Sequence, residues 1–239
     1  MKKTGIILIT ILLLLSAENA RSQSHIRTFF DAGSNNVSDG LFLKSTVAGQ
    51  YQYRRIFIFA ASRFNLVSKT ESAFSGAELH VSKKFPTRYC NYNIDGFLFH
   101  NKHIKKMFEN KAGLLAGIDL VHWTINFGIS KGVSGFTQKA ADEYGITSGR
   151  TMTEKLNFIY QFKYKVFKNE EKLTISLTNR DVFLVEKEPN PLISVGGYYK
   201  LTEYIKCTGE LFYKTNGTLN LAANYFGFYF RAGVKWELK

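Results

Sequence analysis

The chain has 239 residues, a formal charge of +13 and 15% aromatic residues, but only two cysteines and three prolines. Two cysteines are too few for a disulfide framework in an exported chain of this size, and no segment beyond the N-terminus holds the roughly 18 consecutive apolar residues of a helical membrane span. The basic balance points to acidic partners: nucleic acid, an acidic ligand or a phosphate-bearing surface.

The chain opens MKKTGIILITILLLLSAENARSQ, with Lys2 and Lys3 ahead of an apolar run from Ile6 to Leu15 and small residues at Ala20 and Ser22. This is the layout of a secretory signal peptide, and the run is about half the length that crosses a bilayer as a helix. The expected division is a signal peptide over 1–22 and one domain over 23–239. Losing residues 1–22 removes Lys2, Lys3, Arg21 and Glu18 and lowers the charge only to +11. An exported chain without a binding motif gives no reason to expect nucleic acid. Cys90 and Cys207 fall in distant segments on unrelated faces and read as unpaired.

From there on, period-two alternation dominates and helical periodicity is almost absent. Alternating runs between turn-like breaks give about twelve strands, near 25–34, 40–53, 55–67, 74–85, 91–100, 111–121, 123–136, 153–167, 172–186, 192–201, 204–214 and 220–238. Pro86, Pro189 and Pro191 fall between runs, where a missing N–H is harmless. Alternation is symmetric between a soluble barrel, apolar inside, and a membrane barrel, apolar outside. Three features break that symmetry.

Several runs reach the roughly 9 to 11 residues of a tilted membrane strand, against about 5 or 6 in soluble proteins. In WTINFGISKG and LISVGGYYKL the polar face carries Gly128 and Gly196, which fit a crowded lumen better than open water. The opposite face is large, aromatic and almost free of charge, as hydrocarbon demands. Finally, connections alternate between short (QYRR, LVHW, KNEE, LTEY) and long (SKTESAFS, HNKHIKKMFENK, TQKAADEYGITSGRTM). Short turns on one side and long loops on the other are the outer-membrane pattern. In the last strand Phe226, Phe228, Phe230, Val234, Trp236 and Leu238 share one face and Arg231, Lys235 and Glu237 the other. The first set is expected to meet lipid, with Trp236 and Tyr53 in an aromatic girdle at the periplasmic side.

On these residues the chain resembles the Gram-negative outer-membrane β-barrel proteins, small barrels of undefined function in particular. The resemblance implies an all-β, up-and-down antiparallel transmembrane barrel in the bacterial outer membrane. Its implied partners are membrane lipid, lipopolysaccharide and the assembly machinery that recognises an amphipathic, aromatic-rich C-terminal strand. Many members end on an aromatic residue, whereas this chain ends Leu238-Lys239.

Projecting the alternation inward gives a lumen in which bases outnumber acids. The candidate anion contacts are Arg63, Arg180, Lys206, Arg231, Lys163, Lys200 and Lys235, because a basic constriction concentrates anions and arginine's planar fork suits carboxylate or phosphate. This reads as a narrow channel or binding barrel for small anionic solutes. The alternative is a closed structural barrel acting through its extracellular loops, its interior filled by Tyr198, Phe212, Tyr225 and Tyr229 and its charges paired, Glu210 with Lys206 or Arg231. A lipid hydrolase is the third reading. Glu78, His80 and Ser82 share a face, but their spacing of about 7 Å along a strand argues against a triad. No metal or cofactor is expected: His100 and His103 lack further ligands, and Asp142 and Glu143 lack a calcium-loop frame. The basic loop KHIKKMFENK is expected to be solvated and to meet lipopolysaccharide phosphates.

Overall fold

A computed structural model describes residues 23–35, 40–67, 73–104, 107–137, 140, 142–143, 145, 151–153, 156–168, 170–180, 191–214 and 227–238. The expected signal peptide, the second half of the strand expected over 172–186, the start of the one expected over 220–238, and Tyr225 lie outside these residues.

The strands are β1 (Gln23–Asn35), β2 (Gly40–Tyr53), β3 (Ile56–Val67), β4 (Phe74–Pro86), β5 (Asn91–Ile104), β6 (Met107–Asp119), β7 (Trp123–Phe136), β8 (Thr151–Thr153), β9 (Asn157–Phe167), β10 (Glu170–Thr178), β11 (Leu192–Lys200), β12 (Ile205–Lys214) and β13 (Gly227–Leu238). Each long strand pairs antiparallel with its sequence neighbours, and β1 pairs with β13 to close the ring. The three-residue β8 pairs only with the upper end of β7, so the wall itself is a closed barrel of twelve strands. Closure pairs every edge, which is what a sheet in hydrocarbon requires.

The side-chain faces follow from the alternation. Phe30, Val47, Leu98, Leu114, Ile129, Phe158, Val195, Leu211 and Phe230 point outward and are exposed, Leu114 at 61%. Apolar side chains at that exposure around the whole wall constitute a lipid-facing belt. Tyr53, Tyr92, Trp123, Tyr199 and Trp236 stand exposed near the short-turn end of their strands, forming the aromatic girdle in which Tyr53 and Trp236 were expected. The inward glycines accommodate their neighbours: a Cβ on Gly196 would sit 2.6 Å from the Glu210 side chain, and one on Gly128 2.1 Å from the Leu114 carbonyl oxygen.

The short connections fall where expected, after β2, β4, β6, β9 and β11. The Tyr53–Ile56 hairpin is tight enough to hold Arg54 at a φ of 54°. In the Pro86–Asn91 turn Thr87 bonds Cys90 through both its N–H and its hydroxyl. One long loop does not exist. HNKHIKKMFENK was expected as a solvated connection, but β5 runs on to Ile104 and β6 starts at Met107. Glu109, expected in that loop, is a fully buried inward residue bonded by Lys111 at 2.6 Å. Its charged composition hid a strand whose polar side chains have an interior to enter.

Candidate functional site

The inward faces of the twelve strands meet in a lumen with two regions. Toward the long-loop end it is filled. Phe97, Phe99, Leu115 and Ile159 form one buried apolar cluster, and Leu192, Phe212 and Tyr229, backed by Phe42, form another. Phe212 and Tyr229 stack with centroids 4.3 Å apart, on inward positions where sequence placed them. Between these clusters Arg231 lies 4.7 Å from the Phe212 ring and 4.8 Å from the Phe29 ring, and its Nε donates to Asp31 at 2.6 Å. The two residues face each other across β13 and β1.

The second filled feature spans the barrel. The strand expected over 172–186 stops at Thr178, so Arg180 is not a wall residue. Its guanidinium instead lies 3.6 Å from the Phe97 ring and donates to Glu78 on β4 at 2.7 Å. Strands β10 and β4 are five places apart in a ring of twelve, so Arg180 is a strut across the lumen. His80 packs beneath it, contacting Glu78 and facing Asp95 at 3.3 Å. The expectation that Glu78 and His80 stand too far apart to bond is corrected here. Their Cα atoms keep the strand spacing, but the glutamate side chain is long enough to reach the ring. Both partners of His80 are thus structural carboxylates, with Arg180 3.1 Å from its Nε2.

Toward the short-turn end the lumen opens into a cavity of about 540 Å³. Five of the seven candidate anion contacts line it: Lys163, Arg180, Lys206, Arg231 and Lys235. Arg63 and Lys200 do not. Arg63 is buried toward the long-loop end of β3, and Lys200 is exposed at the end of β11.

The pairing register reveals an arrangement that no single strand displays. Lys200 faces Lys206, Lys206 faces Lys235, and Lys235 faces Arg27. Directly paired residues point to the same side of a sheet, so four cations line up on one inner surface across β11, β12, β13 and β1. Neighbouring strands are about 4.8 Å apart. Like charges at that spacing destabilise one another, and the acids nearby only partly compensate. Glu237 accepts from Lys206 at 2.7 Å and lies 3.2 Å from Lys235. Glu171, on β10 next to β11, pairs with Lys163 at 3.2 Å. Lys165 is removed from the cavity by Asp119, at 2.5 Å, and by the Leu120 carbonyl. Glu210, expected to pair with Lys206 or Arg231, stands opposite Arg231 in the β12–β13 register and accepts from Ser194 at 2.6 Å; Lys206 also bonds Glu237, and Arg231 also bonds Asp31.

Sequence reading missed Arg27, Asp31 and Glu171. Arg27 and Asp31 share the odd parity of His25 in SHIRTFFDAG, but the Phe29-Phe30 pair puts one ring on each face and masks the alternation. A register shift between Glu170 and Thr174 turns Glu171 inward out of phase with the rest of β10, which alternation cannot show.

No family model matches the chain, and no curated protein matches it. Its likeness to solved structures is one of fold. The KdgM porin in complex with disordered oligogalacturonate aligns at a TM-score of 0.55 and 9% identity, covering 90% of this chain and 99% of that one. An outer-membrane channel from Pseudomonas putida F1 aligns at 0.52 and 11% identity over 92% and 97%. The translocator domain of the autotransporter NalP from Neisseria meningitidis aligns at 0.51 and 12% identity over 99% and 95%. The fold is that of a porin-like outer-membrane β-barrel.

Proposed function

We propose that this protein is a non-enzymatic barrel of the bacterial outer membrane that takes small anionic solutes into its basic cavity and passes them through a narrow lumen. The observation that carries this reading is the row Lys200, Lys206, Lys235 and Arg27, on one inner surface with fewer acids than bases around it. Such a row lowers the energy of an anion and raises that of a cation along the same path. The KdgM porin, whose complex holds a chain of sugar carboxylates, shares the fold. That supports the solute class without identifying the solute.

The filled upper lumen favours a second reading, a closed structural barrel that works through its loops. Arg180, bridging to Glu78 and stacked on Phe97, is the element that closes it. Recording the reconstituted protein in a planar bilayer under a salt gradient separates the two. The channel reading requires stepwise current with an anion-biased reversal potential, and loss of that bias when Lys206 and Lys235 become glutamate. A stably folded, heat-modifiable barrel without conductance establishes the closed reading. His80, the histidine sharing a face with Ser82, is engaged by Glu78, Asp95 and Arg180, which weighs against the hydrolase reading.

A further inference from the structure

Two features of the cavity remain once its ion pairs and its packing are assigned. The first is Arg27. It is half-buried, its Nε is shielded from solvent without a hydrogen-bond partner, and no carboxylate of the described residues forms an ion pair with it. Its register partner on β13 is Lys235, another cation. A shielded cation beside a like charge is destabilising until an anion completes it. The second feature is a pair of rings on β3. Phe29, Phe97 and Phe212 are buried, whereas Phe57 and Phe59 line the cavity half-buried, in company with polar residues such as Gln50, Asn126 and Gln161.

The two features belong to one place in the barrel. Arg27 faces Ala48 on β2, and Ala48 faces Ala61 on β3, two residues from Phe59. Two strand spacings sideways and two residues along put the Arg27 and Phe59 Cα atoms about 12 Å apart. Both side chains turn inward and line the same cavity, and alanine at the two intervening positions puts no bulk between them. Counted from the short-turn end, Phe57 is the second residue of β3, Phe59 the fourth, and Arg27 the fifth of β1. Lys84 Nζ stands 4.8 Å from the Phe57 ring. A ligand entering from that end meets Lys84 and Phe57 first, then Phe59, and Arg27 last.

We propose that this part of the cavity is a binding site for aromatic carboxylates, with the Arg27 guanidinium holding the carboxylate and Phe59 and Phe57 packing against the ring. The inference rests on the anion-accepting reading of the cavity and narrows its solute class. One molecule answers both features. Its carboxylate gives the planar fork of Arg27 the two oxygens that it lacks, and its ring covers phenyl surface that otherwise faces a polar space. An inorganic anion meets only the first need. A polyhydroxy acid sets hydroxyl groups against the two rings, and the cost of desolvating them offsets the contact.

The test is isothermal titration calorimetry of the folded protein in detergent with phenylacetate, acetate and gluconate, set beside the reversal potential in a bilayer. Phenylacetate is expected to bind about tenfold more tightly than either other acid, through burial of its ring. R27Q is expected to weaken phenylacetate about tenfold by removing the charge-assisted bonds, and F59A to narrow the preference over acetate to about threefold. K83Q, on the outward face of β4, leaves the affinities unchanged. Should R27Q not refold, R27K, which keeps the charge and loses the fork, carries the test with an expected loss of about fivefold. Equal affinities for the three acids, together with an anion-biased reversal potential, overturn the aromatic site and leave the anion channel standing. No binding of any acid overturns the site, and if anion bias is also missing the channel reading falls with it. Wild-type phenylacetate affinity in R27Q, or an undiminished preference in F59A, likewise overturns the proposal.

Discussion

The two ends of the lumen hold the same kinds of charged residues and treat them oppositely. In the upper region two arginines are matched and dry: the side chains of Arg231 and Asp31 are 7% and 0% exposed, and those of Arg180 and Glu78 9% and 3%. In the lower region Lys206, Lys235 and Glu237 are 20%, 19% and 36% exposed, and two lysines share one carboxylate. Aromatic rings account for the difference. Where Phe29, Phe97, Phe212 and Tyr229 fill the interior, water is displaced and an unmatched charge would be prohibitive. Where the wall carries Thr174, Ser176, Thr208 and glycines, a cavity remains and water can screen an excess of cations. Position in the barrel, more than residue type, separates a structural charge from one able to meet a solute.

The contrast is broken most severely at its buried pair. Asp31→Ala removes the fully buried carboxylate to which Arg231 Nε donates and is expected to lower stability by about 3 kcal/mol, read as a fall in the urea midpoint of the folded barrel in detergent. A midpoint within error of wild type would show that the pair is not buried as described. Arg180→Ala removes the strut while leaving Glu78 in contact with His80. Its expected stability cost is smaller, about 2 kcal/mol, and its main effect is a larger single-channel conductance. An unchanged conductance would place the constriction elsewhere. Lys206→Glu with Lys235→Glu changes stability by about 1 kcal/mol or less, because both sites are partly solvated. The reversal potential should nonetheless shift toward cations, and raising the salt to about 1 M should compress the shift as the Debye length falls to about 3 Å. The smallest effect is expected from Lys200→Gln, at the exposed end of the same row: no detectable change in stability, and a slight loss of anion preference. A selectivity change as large as that of the double reversal would move the determining position to the rim.

Much of the fold is legible in the chain because strand geometry is local. Alternation separates Phe228 and Phe230 from Tyr229 and Arg231 without reference to any other strand, and the same rule puts Lys163, Lys206 and Lys235 inside. It fails where local composition misleads. The charges of HNKHIKKMFENK look like a solvated loop until an interior exists to bury Glu109. The bulge at Glu170 to Thr174 reverses the parity of Glu171. Arg180 lies just past the end of a strand that sequence carries through it.

What the sequence determined by itself is therefore the wall: twelve amphipathic strands, their apolar face outward, short turns at one end, and a basic interior. That follows from a period of two, a property of each strand alone. Only the tertiary structure decided which cations stand together. The row of Lys200, Lys206, Lys235 and Arg27 exists through the registers of three strand pairings, including the closure of β13 on β1 between opposite ends of the chain. The reach of Arg180 to Glu78 depends on barrel curvature, which brings residues about a hundred positions apart into contact. Register and closure are settled by packing the whole interior at once, so no single strand encodes them.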